Sequence, residues 1–465
     1  MAFNLKPLLY NLPEVTKPTE KKVDFNTKLK WTIIILAAFF ILVNVPLYGL
    51  KSNSLAQFEY LQVILGTDFG SIISLGIGPI VMASIILQLL VGAGILNINT
   101  NTPDGRKYFQ GLQKLGVLVF IVFEALVYVL MGGFQPATPS LAGIVIFQLM
   151  IGGLAIMFMD EVSSKWGFGS GVSLFILAGV ARVLFTGLFQ FIGPTGENCL
   201  MSFSDTPCAG KLLVFIQALI TGAPREAVLA LAAIAVTILI FLAVIWAQSL
   251  KIEIPLSYDR LRGYNVKWPL SFFYASNMPV ILTAALLANI QLFGGLLEKK
   301  LGAATWLGSF SNGQATSGLA YWLGHSNVVE ALINNTQSTT MFIQMGTHIL
   351  FFVLCSAVFS VFWVKTAGMD ETSQAKKIIA SGLQIPGFRK DERVLESILK
   401  RYIMPLTVMG GIAIGLLAAI TDSLGALTSG TSILLAITIS YQFYQNIAQQ
   451  HAVDMHPAMK KMMGN

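Results

Sequence analysis

Residues 75–90, "LGIGPIVMASIILQLL", hold no charge, yet two glycines and a proline fall within the first five positions. The composition is that of a membrane helix, but crossing the hydrocarbon core takes about 20 apolar residues. The segment is short, begins abruptly and offers only aliphatic side chains to whatever faces it.

The rest of the chain fits that reading. Of 465 residues, 55% are hydrophobic and 11% are charged. A soluble domain has about 25% charged residues, so lipid is the main solvent here. The first 30 residues are polar and basic, with no cleavable signal pattern, so the first span would target itself. Ten apolar stretches follow: 31–50, 74–90, 115–134, 141–159, 172–192, 228–248, 279–293, 341–364, 403–420 and 432–448. The second, seventh and ninth are short or interrupted by proline or glycine.

Charge orients them. With the N-terminus in the cytosol and ten alternating spans, the cytosolic segments hold 24 of the 30 Lys and Arg residues. The external segments hold five, and Arg182 lies inside a span. This split follows the positive-inside rule, and an odd number of spans would scramble it. Two apolar pieces, 55–66 and 211–222, are too short to span and fall on the external side. Each is expected in the interface, or, if re-entrant, buried in protein. For 211–222 the interface is the favoured placement.

The second and seventh spans echo one another. "PIVMASIILQLL" from Pro79 aligns with "PVILTAALLANI" from Pro279, and the two spans run in opposite directions. Five spans per half make the halves inverted copies, and interrupted helices at matching positions of such repeats mark a pathway near the midplane.

Chemistry is sparse. Glu124 is the clear intramembrane acid, and His348, the histidine within a span, has no evident partner in the sequence. There is no HExxH, no Walker A, no aspartyl dyad and no Cys/His metal spacing, so no enzyme, cofactor or metal is expected. Cys355 reads as a packed small hydrophobe. A Cys199–Cys208 bridge in one external loop is left open by spacing alone. An ion-coupled transporter would carry several intramembrane ionisable groups. An aliphatic constriction instead holds back water by dewetting and bonds nothing that passes. Ile77 and Val81 share a helix face, and Ile281 follows its proline as Val81 does. The basic loops, 365–401 with "LQIPGF" and 258–268 with "YDRLRGYNVKW", can bind anionic lipid or RNA phosphates. Asn334-Asn335-Thr336 is an external glycosylation sequon.

"LGIGPIV", "FQGLQK" (109–114), "DEVSSKWGFGSG" (160–171), "SNMPVIL" (276–282), "PGFRK" (386–390) and "KRYIMPLTV" (400–408) together resemble the SecY family over essentially the whole chain, archaeal members most closely. The resemblance implies an all-α polytopic membrane protein. Ten transmembrane helices would form two inverted, pseudo-symmetric five-helix halves around a central pore with a re-entrant plug helix. The function implied is a protein-conducting channel that passes unfolded secretory polypeptides and releases hydrophobic segments sideways through a lateral gate. The pore ring would map to Ile77, Val81, Val172, Ile176, Ile281 and Leu435. The plug, 55–67, would present Leu55, Phe58, Leu61, Ile64 and Leu65. Glu124 and Asn289 would form a polar latch at the gate, with Met82 standing where close relatives carry Thr. Arg262, Lys267, Arg389 and Lys390 would contact a ribosome or other motor. Arg182 is not a family mark and would snorkel outward.

The expected organisation is a cytosolic segment 1–30, an N-terminal half 31–210, a C-terminal half 211–449 with cytosolic loops 250–278 and 365–402, and a cytosolic tail 450–465. Implied partners are a SecE-like single-span subunit, a small third subunit, the ribosome, nascent chains with their signal sequences, and the bilayer. The expected location is the plasma membrane, with both termini cytosolic. The rival reading is a five-plus-five secondary transporter, which would need a polar, saturable midplane site.

Overall fold

In a computed structural model, each of the ten apolar stretches lies on a helix. The structure describes residues 9, 11–19, 23–55, 62, 64–92, 95–96, 98, 102–193, 197–200, 207–258, 265–275, 277–311, 314–380, 383–384 and 391–455. In chain order, helix α1 is Phe25–Val43, strand β1 Leu50–Asn53, α2 Gly78–Gly92, α3 Pro103–Leu130, β2 Phe134–Pro136, α4 Ala142–Trp166 and α5 Gly171–Phe189. The second half runs α6 Lys211–Thr221, α7 Pro224–Gln248, β3 Lys251–Tyr258, β4 Asn265–Ser271 and α8 Met278–Leu301. There follow β5 Ser309–Ser311, β6 Gln314–Ser317, α9 Gly318–Leu323, α10 Val328–Asn334 and α11 Thr339–Thr366. The last elements are α12 Glu371–Ala380, β7 Leu383–Gln384, α13 Glu392–Ser423 and α14 Gly430–Met455.

Eight of the ten spans are long and apolar enough to cross a membrane. The exceptions are α2, with 15 residues, and α14, whose second half is polar. Helix starts follow local chemistry. Thr102 caps α3 by accepting from Gly105 N at 3.1 Å with Pro103 in the first turn, and Ser338 caps α11 by accepting from Met341 N at 3.3 Å. Gly222 and Gly302 close α6 and α8 in the left-handed conformation. The short apolar piece 211–222 is indeed a helix, α6, with Ile216, Leu219 and Ile220 exposed for lipid to cover.

The loops are more structured than their polarity predicts. Strands β4-β3-β7 form a small antiparallel sheet on the basic side, joining the two long basic loops. Under it sits a separate apolar cluster that includes Ile254, Leu270, Leu399 and Ile403. Helices α3 and α13 begin 12 and 11 residues ahead of their apolar stretches, so both project beyond the membrane. On the opposite side β1 pairs with β2, and β5 with β6. Cys199 and Cys208 are bridged by a disulfide between α5 and α6. The N-terminal segment is strapped to the end of α4. Lys165 Nζ reaches Glu14 at 2.6 Å and Glu161 at 2.8 Å, and Trp166 Nε1 donates to Thr16 O at 2.9 Å. The Lys165 ammonium holds the Glu14 carboxyl below its ordinary value.

One apolar core runs through both halves. Helix α14 packs on α5, and α8 and α11 pack on α2. These contacts define the seam that the functional site occupies.

Candidate functional site

All six ring positions are buried, from 1% exposed at Ile77, Ile176 and Leu435 to 9% at Val172. They share one structural property. Ile77 and Val81 flank the start of α2, Val172 and Ile176 sit in the first two turns of α5, Ile281 is fourth in α8, and Leu435 is sixth in α14. Four helices, two from each half, therefore carry these aliphatic side chains at or near their first turns, and the abrupt start of residues 75–90 is shared by the other three.

The described part of the segment before α2 is tied to the start of that helix. Leu55, Ile64 and Leu65 are buried, whereas Phe58 and Leu61 lie outside the described residues. Ile77 N donates to Leu65 O at 2.9 Å, and Thr67 Oγ1 donates to Ile73 O at 2.5 Å. Gly76, at φ +53°, allows this approach, because a Cβ there would stand 2.2 Å from Leu65 O. Three residues beyond Leu65, Asp68 pairs with Arg182 on α5 at 3.3 Å. Arg182 thus has a specific partner and does not merely reach toward the interface. Both face a vestibule of about 690 Å³ that His325 and Asp422 also line.

The seam between α2/α3 and α8/α11 closes at several heights. Gly92 of α2 admits the Phe362 ring, which a Cβ would meet at 2.3 Å. Phe123 and Phe293 approach with centroids 6.4 Å apart. Beyond the ring, Lys299 Nζ donates to Ser54 Oγ, immediately before the plug segment. Glu124 and Asn289 are both buried at this seam, at 1% and 4%, but no hydrogen bond joins them. Asn289 Nδ2 donates to Ala285 O of its own helix at 2.8 Å, and the Glu124 oxygens have no hydrogen-bond partner. The Glu124 carboxylate lies against Gly78, whose Cβ would stand 3.0 Å from Oε2. Met82 is half-buried and packs on the main core. On the basic side, Lys267 falls on β4, whereas Arg262, Arg389 and Lys390 lie outside the described residues.

The sequence reading missed two carboxylates and a histidine contact. Asp160 accepts from Val172 N at 3.0 Å and from Ser170 Oγ at 3.3 Å. Asp422 accepts from Thr431 N at 2.7 Å and from the Thr431 hydroxyl. His348, whose partner was not evident in the sequence and which reads as a helix-contact donor, bonds Leu323 O through Nδ1 at 2.7 Å and turns Nε2 toward Asp422 at 3.5 Å. A signal was present: "SGVS" at 170–173 and "SGTS" at 429–432 are one motif, each downstream of an aspartate.

These features define a multi-pass helical membrane protein whose two halves share one apolar core. The SecY family model matches residues 71–444. The protein translocase subunit SecY of Methanothermobacter thermautotrophicus is 44% identical over 99% of this chain and 98% of its own length. A solved protein-conducting channel is 39% identical, covers 98% of this chain and 99% of its own, and superposes with a TM-score of 0.83. Sec61 in the canine ribosome-channel complex from the endoplasmic reticulum is 39% identical at a TM-score of 0.79, with coverages of 98% and 99%. The chain belongs to the SecY family and is a subunit of a protein-conducting channel.

Proposed function

We propose that Ile77, Val81, Val172, Ile176, Ile281 and Leu435 form the gasket through which unfolded secretory polypeptides pass. The six aliphatic side chains sit near the starts of four helices from both halves and are buried in one core, and this carries the reading. Segment 55–67 is the plug on the external side, and the seam of α2/α3 with α8/α11 is the lateral gate for hydrophobic segments. Glu124, Asn289 and Met82 belong to that gate. The two halves are 31–210 and 211–449, and loops 250–278 and 365–402, segment 1–30 and tail 450–465 are cytosolic. The basic loops dock a ribosome through Arg262, Lys267, Arg389 and Lys390, as suits phosphate-binding arginines. A SecE-like single-span subunit clamps the halves, a small third subunit completes the complex, and the chain resides in the plasma membrane. It performs no chemistry, and the motor supplies the energy. A solute transporter would need a polar midplane site, and the six ring positions offer aliphatic side chains only.

An apolar constriction resists ions because water leaves it. Replacing Val81 and Ile281 together by serine is therefore expected to raise the resting ion flux of channels reconstituted in vesicles. Resting flux equal to the parent channel would contradict the gasket assignment.

A further inference from the structure

The two aspartates that the sequence reading passed over occupy equivalent places. Each lies near the end of the span before a ring-bearing helix, α4 before α5 and α13 before α14. Each accepts the backbone N–H of the second residue of that next helix, Val172 or Thr431. In both cases the first residue is glycine, and a Cβ would collide with the preceding span. It would stand 2.5 Å from Asp160 Cα at Gly171, and 2.0 Å from Thr421 C at Gly430. In both cases the ring residue, Ile176 or Leu435, follows that glycine by five positions. The similarity extends beyond sequence to the hydrogen bond and the close approach.

The geometry points to Asp160 and Asp422 as paired positioning residues that fix the height and rotation of the two ring-bearing helices. This rests on the ring assignment above. A helix start leaves backbone N–H groups without intrahelical partners. A carboxylate at that place satisfies one of them and offsets the positive end of the helix. Because the acceptor belongs to the preceding span, the bond also ties the new helix to a fixed neighbour. Ile176 and Leu435 sit little more than one turn beyond the bond, so a tilt allowed by its loss moves the gasket directly. On α11 His348, whose Nδ1 is bonded to Leu323 O, turns Nε2 toward the Asp422 carboxylate at 3.5 Å without a hydrogen bond. Asp160 is half-buried and Asp422 is 2% exposed.

The ring acts alone when a chain has displaced the plug, so that state gives the clean reading. The full complex, with an arrested secretory chain in the pore, is placed in a planar bilayer and the ion conductance of single channels is recorded. Asp160→Ala and Asp422→Ala are each expected to raise conductance per channel several-fold. Asp160→Asn and Asp422→Asn keep an oxygen acceptor for the N–H and are expected to stay near the parent value. Conductance per channel equal to the parent in both alanine variants, with only fewer channels formed, would make the aspartates merely structural and overturn the proposal. A rise in the asparagine variants as large as in the alanine ones would also overturn it. Chain crosslinking to Val81 in the same preparations separates this outcome from failure of the ring assignment itself, because without that crosslink the ring is not the conduit.

Discussion

Gly76 shows how much of the proposed seal depends on single atoms. Its left-handed backbone and missing Cβ let Leu65 O reach Ile77 N, so the segment we propose as the plug is bonded to the start of α2. Gly76→Ala would set a methyl 2.2 Å from that oxygen. The conformation alone costs a non-glycine residue about 1 kcal/mol or more. The expected result is a folded channel with an unseated plug, seen as raised resting ion flux with little loss of thermal stability. Unchanged flux would show that the segment can shift without unsealing. At this scale the sequence was only partly legible. Ile77 and Val81 announced themselves because an uncharged aliphatic face next to a proline is unusual. The role of Gly76 depends on a carbonyl eleven positions earlier, which spacing cannot reveal. Asp160 and Asp422 escaped notice because they stand near the ends of spans, where acids are ordinary. His348 has its partners on α13 and beside α9, contacts made only by tertiary packing.

At the scale of elements, hydropathy located every span because each must present apolar side chains to lipid. It could not locate the helical extensions of α3 and α13, which are polar, nor the strands of the basic loops. Those strands matter for docking. Ser257 pairs with Gln384 and Tyr258 with Leu383, so one sheet ties together the two basic loops. Arg262 and Arg389 belong to those two loops. Reversing both charges is expected to abolish ribosome binding in a flotation assay and to leave the channel folded. Ribosome affinity equal to the parent would remove the assignment of these arginines. The salt dependence of phosphate contacts scales with their number, so the remaining affinity of either single variant should fall less steeply than the parent's as salt is raised.

For the whole molecule, the proline-aligned echo of the second and seventh spans suggested an inverted repeat. The paired aspartate-to-helix bonds in the fourth/fifth and ninth/tenth spans give that repeat atomic form. The polar latch that the family resemblance led us to expect of Glu124 and Asn289 is not made as a hydrogen bond, because Asn289 donates to Ala285 O of its own helix and the Glu124 oxygens have no hydrogen-bond partner. The contacts at that seam are instead Gly92 against Phe362, Phe123 beside Phe293, and Lys299 on Ser54. The central claim is that a polypeptide passes through the place where the four helices begin. The most direct measurement puts a photo-crosslinking probe at Val81 or Ile281 in native membranes and adds ribosomes stalled on a secretory chain. The account predicts crosslinks to the nascent chain from both positions and none from a probe at lipid-facing Leu239. Ribosomes that dock while neither ring position crosslinks would contradict it.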